Sequence, residues 1–209
     1  HKQGHRVAVS IHAIPMVSNG VVYGAIEVFV PESDVQRSVI TNKELEYFAL
    51  YDPLTKLPNR RYIDSFLENH FRDYEEFGLD FAVIMLDLDH FKDVNDRYGH
   101  DTGDAVLKMI SKSMKNALRS SDFIGRWGGE EFLAIIRCNS NEDLLAIAEK
   151  IRVLIENSEL PVNDEILRIT ISAGCTLVSK IDTSATIVKR ADTALYFSKS
   201  NGRNMSHVL

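Results

Sequence analysis

The sequence lacks most of the features that mark a special class of protein. It has two cysteines in 209 residues, Cys138 and Cys175, and nothing about them suggests a disulfide framework or a zinc cluster. They read as buried thiols of a reducing, cytoplasmic setting. Positive charge is scarce: 24 Lys and Arg against 30 Asp and Glu leave a net charge of −6. That excludes a general DNA or RNA coat, which needs an excess of cations over phosphates. A nucleotide can still bind if metal ions and a few local cations supply positive charge. No run approaches the ~18 apolar residues of a membrane span. The longest, such as Phe81 to Leu86, are strand-sized, so this segment is expected to make no membrane contact. There is no internal repeat. The chain opens on His1 with no signal-peptide pattern, and so reads as a segment of a longer protein whose missing part could carry a membrane attachment.

What is present is ordinary globular usage, with 44% hydrophobic, 9% aromatic and 26% charged residues. The length suits one domain of roughly 150 residues plus an appendage. Residues 6–30 read as two strands around a Ser18-Asn19-Gly20 turn, a hairpin that needs something to pack on. After Pro31-Glu32-Ser33-Asp34, the apolar residues Val35, Val39, Ile40, Leu45 and Phe48 predict a linking helix over 34–50. From Asp52 the pattern is regular. Asn59 caps a helix whose apolar positions are Tyr62, Ile63, Phe66, Leu67, Phe71 and Tyr74, and residues 81–88 form a strand buried on both faces. Residues 101–120, 141–157 and 184–200 predict three further helices, the last ended by Asn201-Gly202. Residues 122–127 and 131–136 form a hairpin around Gly128-Gly129, and 166–177 is mostly strand. The predicted class is α/β, a mixed central β-sheet flanked by helices.

Two stretches carry chemistry. Asp87 and Asp89 end an otherwise apolar strand and, two residues apart, share a face. Charge buried there must be paired or bound to metal. One reading is a strand end entering solvent with Asp89 as a helix cap; the other is a metal–nucleotide site, since Mg²⁺ takes carboxylate oxygens together with substrate phosphates. The second stretch, Arg126-Trp127-Gly128-Gly129-Glu130-Glu131-Phe132, puts two acids directly after a turn whose glycines let a ligand approach the main chain. Alone the turn says little; with the first acidic pair it says much more.

These residues resemble a known family. Asp52-Pro53-Leu54-Thr55, Asn59-Arg60-Arg61, Asp87-Leu88-Asp89-His90-Phe91-Lys92, Asn95-Asp96, Gly99-His100, Gly103-Asp104, Gly128-Gly129-Glu130-Glu131-Phe132, Ala191-Asp192, Leu195-Tyr196, Lys199 and Gly202-Arg203-Asn204 stand in the order and spacing of GGDEF domains, the diguanylate cyclases, over about 50–207. The resemblance implies a nucleotide-cyclase or polymerase-palm-like fold for residues 51–209. It implies condensation of two GTP into cyclic di-GMP with release of pyrophosphate, across a homodimer. Asp87, the Leu88 carbonyl and Glu130 match positions for two Mg²⁺ or Mn²⁺ ions, and Glu131 matches an essential acid that assists metal binding or proton removal. Asn95 and Asp104 match guanine readers, and Lys92, Lys199 and Arg203 match phosphate contacts. Phe91 and Leu107 suit either the core or the wall of the base pocket. Arg119-Ser120-Ser121-Asp122 fits the RxxD motif of the family's inhibitory product site, at its usual distance before the double glycine.

Four positions depart from the common pattern. Lys56 stands where glycine is common, Trp127 replaces a tyrosine, Ser198 an alanine, and Glu130 the aspartate of the name-giving motif. None removes a required ligand. Residues 1–33 resemble the last two strands of a PAS sensor domain, too little to infer a ligand pocket. Other readings are an inactive module that senses GTP or cyclic di-GMP, disfavoured because every signature acid is kept, and a cyclase or palm enzyme with another product.

Overall fold

The computed structural model describes residues 9–18, 21–31 and 47–209. They fall into two compact units, His1–Tyr51 and Asp52–Leu209. In the first, β1 (Val9–Ser18) and β2 (Val21–Pro31) form an antiparallel pair with a register shift between Met16 and Val17. The expected turn residues Asn19 and Gly20, and residues 34–46 of the expected linking helix, lie outside the described residues. Residues 47–50 are helical, and Tyr47 stacks on Tyr51 with ring centroids 4.7 Å apart.

The second unit is built on β3 (Ala82–Leu88), buried at every position. A strand with no polar face must be covered on both sides, and β3 lies at the middle of a five-stranded sheet. Its neighbours are β5 (Glu131–Ile136) and β8 (Ile171–Leu177); β4 (Phe123–Gly128) and β9 (Ser206–Val208) form the edges. All pairs are antiparallel except β8–β9, so the sheet is mixed, as expected.

Strand periodicity divides the interior into two cores. Ala82, Ile84, Leu86 and Leu88 face α2 (Phe91–Tyr98), α3 (His100–Ala117) and α4 (Asn141–Glu156). Val83 and Met85 face α1 (Arg60–Phe77) and α5 (Ser184–Ser200). The Asn59 side chain caps α1 by accepting the Tyr62 N–H at 3.1 Å. Thr183 and Thr186 form a capping box on α5. Gly174 of β8 lets α5 lie close against the sheet: a Cβ there would stand 2.0 Å from the Leu195 nitrogen.

The departures from expectation are local. The helix expected over 101–120 stops at Ala117, because Leu118 is extended. The stretch 166–177 breaks into β8 and a small hairpin strand, β7 (Glu165–Leu167), which pairs with β6 (Leu160–Val162). Helix α2 and strands β6 and β9 were not anticipated.

Candidate active site

Strand β3 delivers Asp87 to its C-terminal end, on the α1–α5 side of the sheet. The register sets Asp87 directly opposite Glu131 of β5, and the Leu88 N–H donates to the Glu130 carbonyl at 3.3 Å. Asp87, Leu88, Glu130 and Glu131 are thereby gathered at one rim of the sheet. Of the two turn glycines only Gly129 uses the left-handed backbone, with φ 49°. A side chain at Gly128 or Gly129 would meet nothing within 4 Å, so the main chain is open to a ligand.

Arg126 fixes this turn. Its guanidinium donates to the Gly129 carbonyl at 2.9 and 2.7 Å and to both Asp52 carboxylate oxygens at 3.1 and 3.2 Å. Asp52 also accepts from the Thr55 N–H and hydroxyl at 2.8 and 2.7 Å. The Asp52-Pro53-Leu54-Thr55 motif and the glycine turn are thus one hydrogen-bonded assembly. Burial desolvates Asp52, yet the Thr55 bonds and the Arg126 charge outweigh it and hold the carboxyl below its ordinary value.

The three acids are under opposite stress. Burial pushes the Asp87 carboxyl up, although the Lys199 ammonium 2.8 Å away pulls it down. Glu130 and Glu131 are also raised, first by burial and then by the Asp87 charge. Asp192 of α5 adds to the rise at Glu131, and Arg203 is near enough to act on Asp87. The site is therefore a cluster of carboxylates short of positive charge, with Lys199 as its one cation in direct contact with Asp87 among the described residues.

Asp89 does something else. It is buried and accepts from the Thr170 hydroxyl at 2.7 Å, the Ser172 hydroxyl at 2.7 Å and the Asn204 N–H at 3.0 Å. It neither enters solvent nor caps a helix: the cap position of α2 is His90, left-handed at φ 58° with no side-chain cap bond. Asp89 instead ties the end of β3 to the loop after α5. That loop carries Arg203, which is exposed, lies beyond the end of α5 and is left-handed at φ 62°. Asn204 secures it further, donating to Glu156 and accepting from Arg152, both at 2.8 Å.

Asn95 lies on the last turn of α2, and Asp104, the fifth residue of α3, is exposed. Phe91 and Leu107 are buried in the core beneath them. Lys92 is exposed in the first turn of α2, and no contact among the described residues ties it to the acids. Arg119 and Asp122 form a tight turn in which the carboxylate accepts the Arg119 backbone N–H at 3.0 Å, leaving the guanidinium exposed. They line a cavity of about 370 Å³ with Arg137, Cys138, Asp143 and Lys150. Cys138 is a free thiol pushed up to about 11 by burial.

Sequence reasoning missed the Arg126 clamp and the Asn204 strap. Both residues stood in quoted motifs, but their partners are 74 and 48 residues away and no local pattern reveals them.

Fold and site together define a palm-like α/β domain of nucleotide-cyclase type. The family described as "Diguanylate cyclase, GGDEF domain" matches residues 49–205, and the chain belongs to it. The diguanylate cyclase DgcP of Pseudomonas aeruginosa is 40% identical over 160 residues, which are 77% of this chain and 24% of that protein. The GGDEF domain of DgcB from Caulobacter crescentus, solved in complex with cyclic di-GMP, has a TM-score of 0.74 at 34% identity, covering 77% of this chain and 95% of that one. The active GGEEF domain of a diguanylate cyclase from Vibrio cholerae has a TM-score of 0.67 at 32% identity, covering 72% and 96%. The chain spans 24% to 46% of the length of the curated relatives it matches. Among the described residues, no helix is long and apolar enough to cross a membrane.

Proposed function

We propose that this domain is a diguanylate cyclase that condenses two GTP into cyclic di-GMP and two pyrophosphates across a homodimer, one GTP on each protomer. The observation that carries the proposal is the gathering of Asp87, Glu130 and Glu131 at the sheet rim, raised by burial and mutual repulsion beside Lys199.

The donor set fits a hard divalent cation. Asp87, the Leu88 carbonyl and Glu130 offer oxygen ligands only. Among the described residues no three acidic, His or Cys side chains close a cage alone; water and substrate phosphates would complete the shell of an ion held by these oxygens. Two Mg²⁺ or Mn²⁺ ions held there would supply charge neutralisation for the triphosphate and activation of the 3′-hydroxyl.

In each half-reaction the 3′-oxygen of one GTP bonds to the α-phosphorus of the other. The bond from that phosphorus to the leaving oxygen breaks, and pyrophosphate departs with the electron pair. Glu131, held above the usual carboxylate range, takes the hydroxyl proton. Asp104 accepts from guanine N1–H and N2–H₂, the Asn95 amide serves the rest of the edge, and Phe91 and Leu107 form the floor. Lys92, Lys199 and Arg203 offset triphosphate charge. Because the two nucleotides sit on different protomers, proximity is the main catalytic resource.

Arg119 and Asp122 form a product site in the cavity they share with Arg137 and Lys150, where guanidinium forks suit the phosphates and acceptor edge of guanine. Residues 1–33 end a PAS-like sensor, and 34–50 carry its state to the cyclase.

The test is incubation with GTP and Mg²⁺ or Mn²⁺ followed by chromatography against authentic standards. Cyclic di-GMP with two pyrophosphates, formed at a rate per chain that rises with protein concentration, is expected. A different cyclic product, or none from folded protein, overturns the proposal.

A further inference from the structure

Helix α3 carries a glycine at its fourth residue, where glycine costs about 1 kcal/mol relative to alanine. Gly103 is buried, and its backbone is not left-handed, so neither exposure nor conformation calls for it. The space beside it does. A Cβ at 103 would stand 2.0 Å from Asn95 Oδ1, 3.0 Å from Asn95 Cγ and 3.2 Å from Phe91 Cζ. The backbones on both sides are pinned through Gly99, which donates its N–H to the Asn95 carbonyl at 2.9 Å and accepts the Gly103 N–H at 3.2 Å. With α2 and α3 joined directly at Gly99, the Asn95 side chain is freer to give way to an added methyl group than either backbone. The Asn95 carboxamide is the part that would have to move.

We infer that Gly103 is the positioning residue for guanine selection: its missing side chain is the seat of the Asn95 carboxamide, which it holds beside Asp104, the next residue along. Phe91 closes the seat on its other side. A methyl group at 103 expels the amide from this seat and unpairs it from the base edge. The inference rests on the reading of Asn95 as a guanine reader, and the test separates the two.

The experiment measures binding of α,β-methylene-GTP and of its adenine counterpart, in Mg²⁺, to the unaltered chain, Gly103→Ala, Asn95→Ala and the double variant. Gly103→Ala is expected to weaken the guanine analogue about tenfold and to narrow its margin over the adenine one. The double variant should bind no worse than Asn95→Ala, because truncating Asn95 removes the two closest atoms a new Cβ would meet and leaves only Phe91 Cζ, at 3.2 Å. Alanine is the better helix former, so weaker binding cannot come from a weaker helix. If Gly103→Ala does not fold, restoration of the fold by Asn95→Ala supports the seat and failure to restore it overturns the inference. Unchanged binding by Gly103→Ala, or losses that add in the double variant, overturns the role of Gly103 while leaving Asn95 in place. Unchanged binding by Asn95→Ala overturns the guanine reading itself.

Discussion

Lys56 holds a left-handed backbone, φ 60°, at a position where the family commonly has glycine. A side chain in that conformation costs about 1–2 kcal/mol, partly offset by the extra freedom glycine has in the unfolded chain. Lys56→Gly is therefore expected to stabilise the domain by about 1 kcal/mol, a rise of about 3 °C in Tm by calorimetry. An unchanged or lower Tm would show that the strain is taken up elsewhere. The other departures carry no such load: the Ser198 hydroxyl donates to the Ala173 carbonyl at 2.8 Å, and Trp127 packs under Arg60, whose Cζ lies 4.2 Å from the ring centroid.

At Glu131 the electrostatics give a prediction with two halves. A carboxylate whose folded pKa is raised destabilises the fold wherever it is ionised in the native state. The penalty fades as pH falls from the folded value toward the ordinary one. Asp87, Glu130 and Glu131 all lie on that side, whereas Asp52, held low, contributes stability that is lost as pH falls through its folded value. In chelator at neutral pH, Glu131→Gln should raise Tm by relieving its neighbours, and the gain should shrink on acidification. The same substitution should cut GTP turnover at least about 100-fold. Normal turnover in that variant removes Glu131 from the chemistry. Residue by residue, the acids were readable because charge at the end of an apolar strand is conspicuous. The structural role of Asp89 was not, because its three hydrogen-bond donors come from residues 81 to 115 positions away.

Among the elements, the helices with an apolar stripe, α1, α3, α4 and α5, were legible to within a few residues. Helix α2 was not, because it is eight residues long, buries only Phe91 and Val94, and starts at a left-handed His90 with no side-chain cap bond. Strand β9 is three residues of partial burial whose only signal is its pairing with β8. The junction between the glycine turn and the Asp52 motif is likewise invisible in sequence, yet it sets where Glu130 and Glu131 stand. Arg126→Ala breaks four hydrogen bonds to two partners. It should lower stability by about 2 kcal/mol and turnover by at least about tenfold, and Arg126→Lys should recover little of either, since an ammonium cannot span both partners. Turnover that survives Arg126→Ala would show that the turn holds its shape without the clamp.

The second unit as a whole is a five-stranded sheet between two separate cores, with a small β6–β7 hairpin beside it. Helix α4 touches both the Arg119 cavity and the Arg203 loop. Asp143 and Lys150 line the cavity of Arg119 and Asp122, while Arg152 and Glu156 hold Asn204 in the loop of Arg203. The proposed product site and the loop proposed to meet the phosphates are therefore attached to one helix. Arg119→Ala should raise at least about tenfold the concentration of added cyclic di-GMP that halves the initial rate. An unchanged inhibition curve would place the product elsewhere. The sheet, its helical cover and the rim of acids followed from periodicity and residue type, whereas the contacts that align them did not.

The most direct measurement is a crystal of the chain grown with α,β-methylene-GTP and Mn²⁺. The account predicts anomalous peaks about 2.1 Å from oxygens of Asp87, Glu130 and the Leu88 carbonyl, with the triphosphate on them and guanine between Asn95 and Asp104. A nucleotide bound away from the rim, or a triphosphate with no ion between it and these carboxylates, would contradict it.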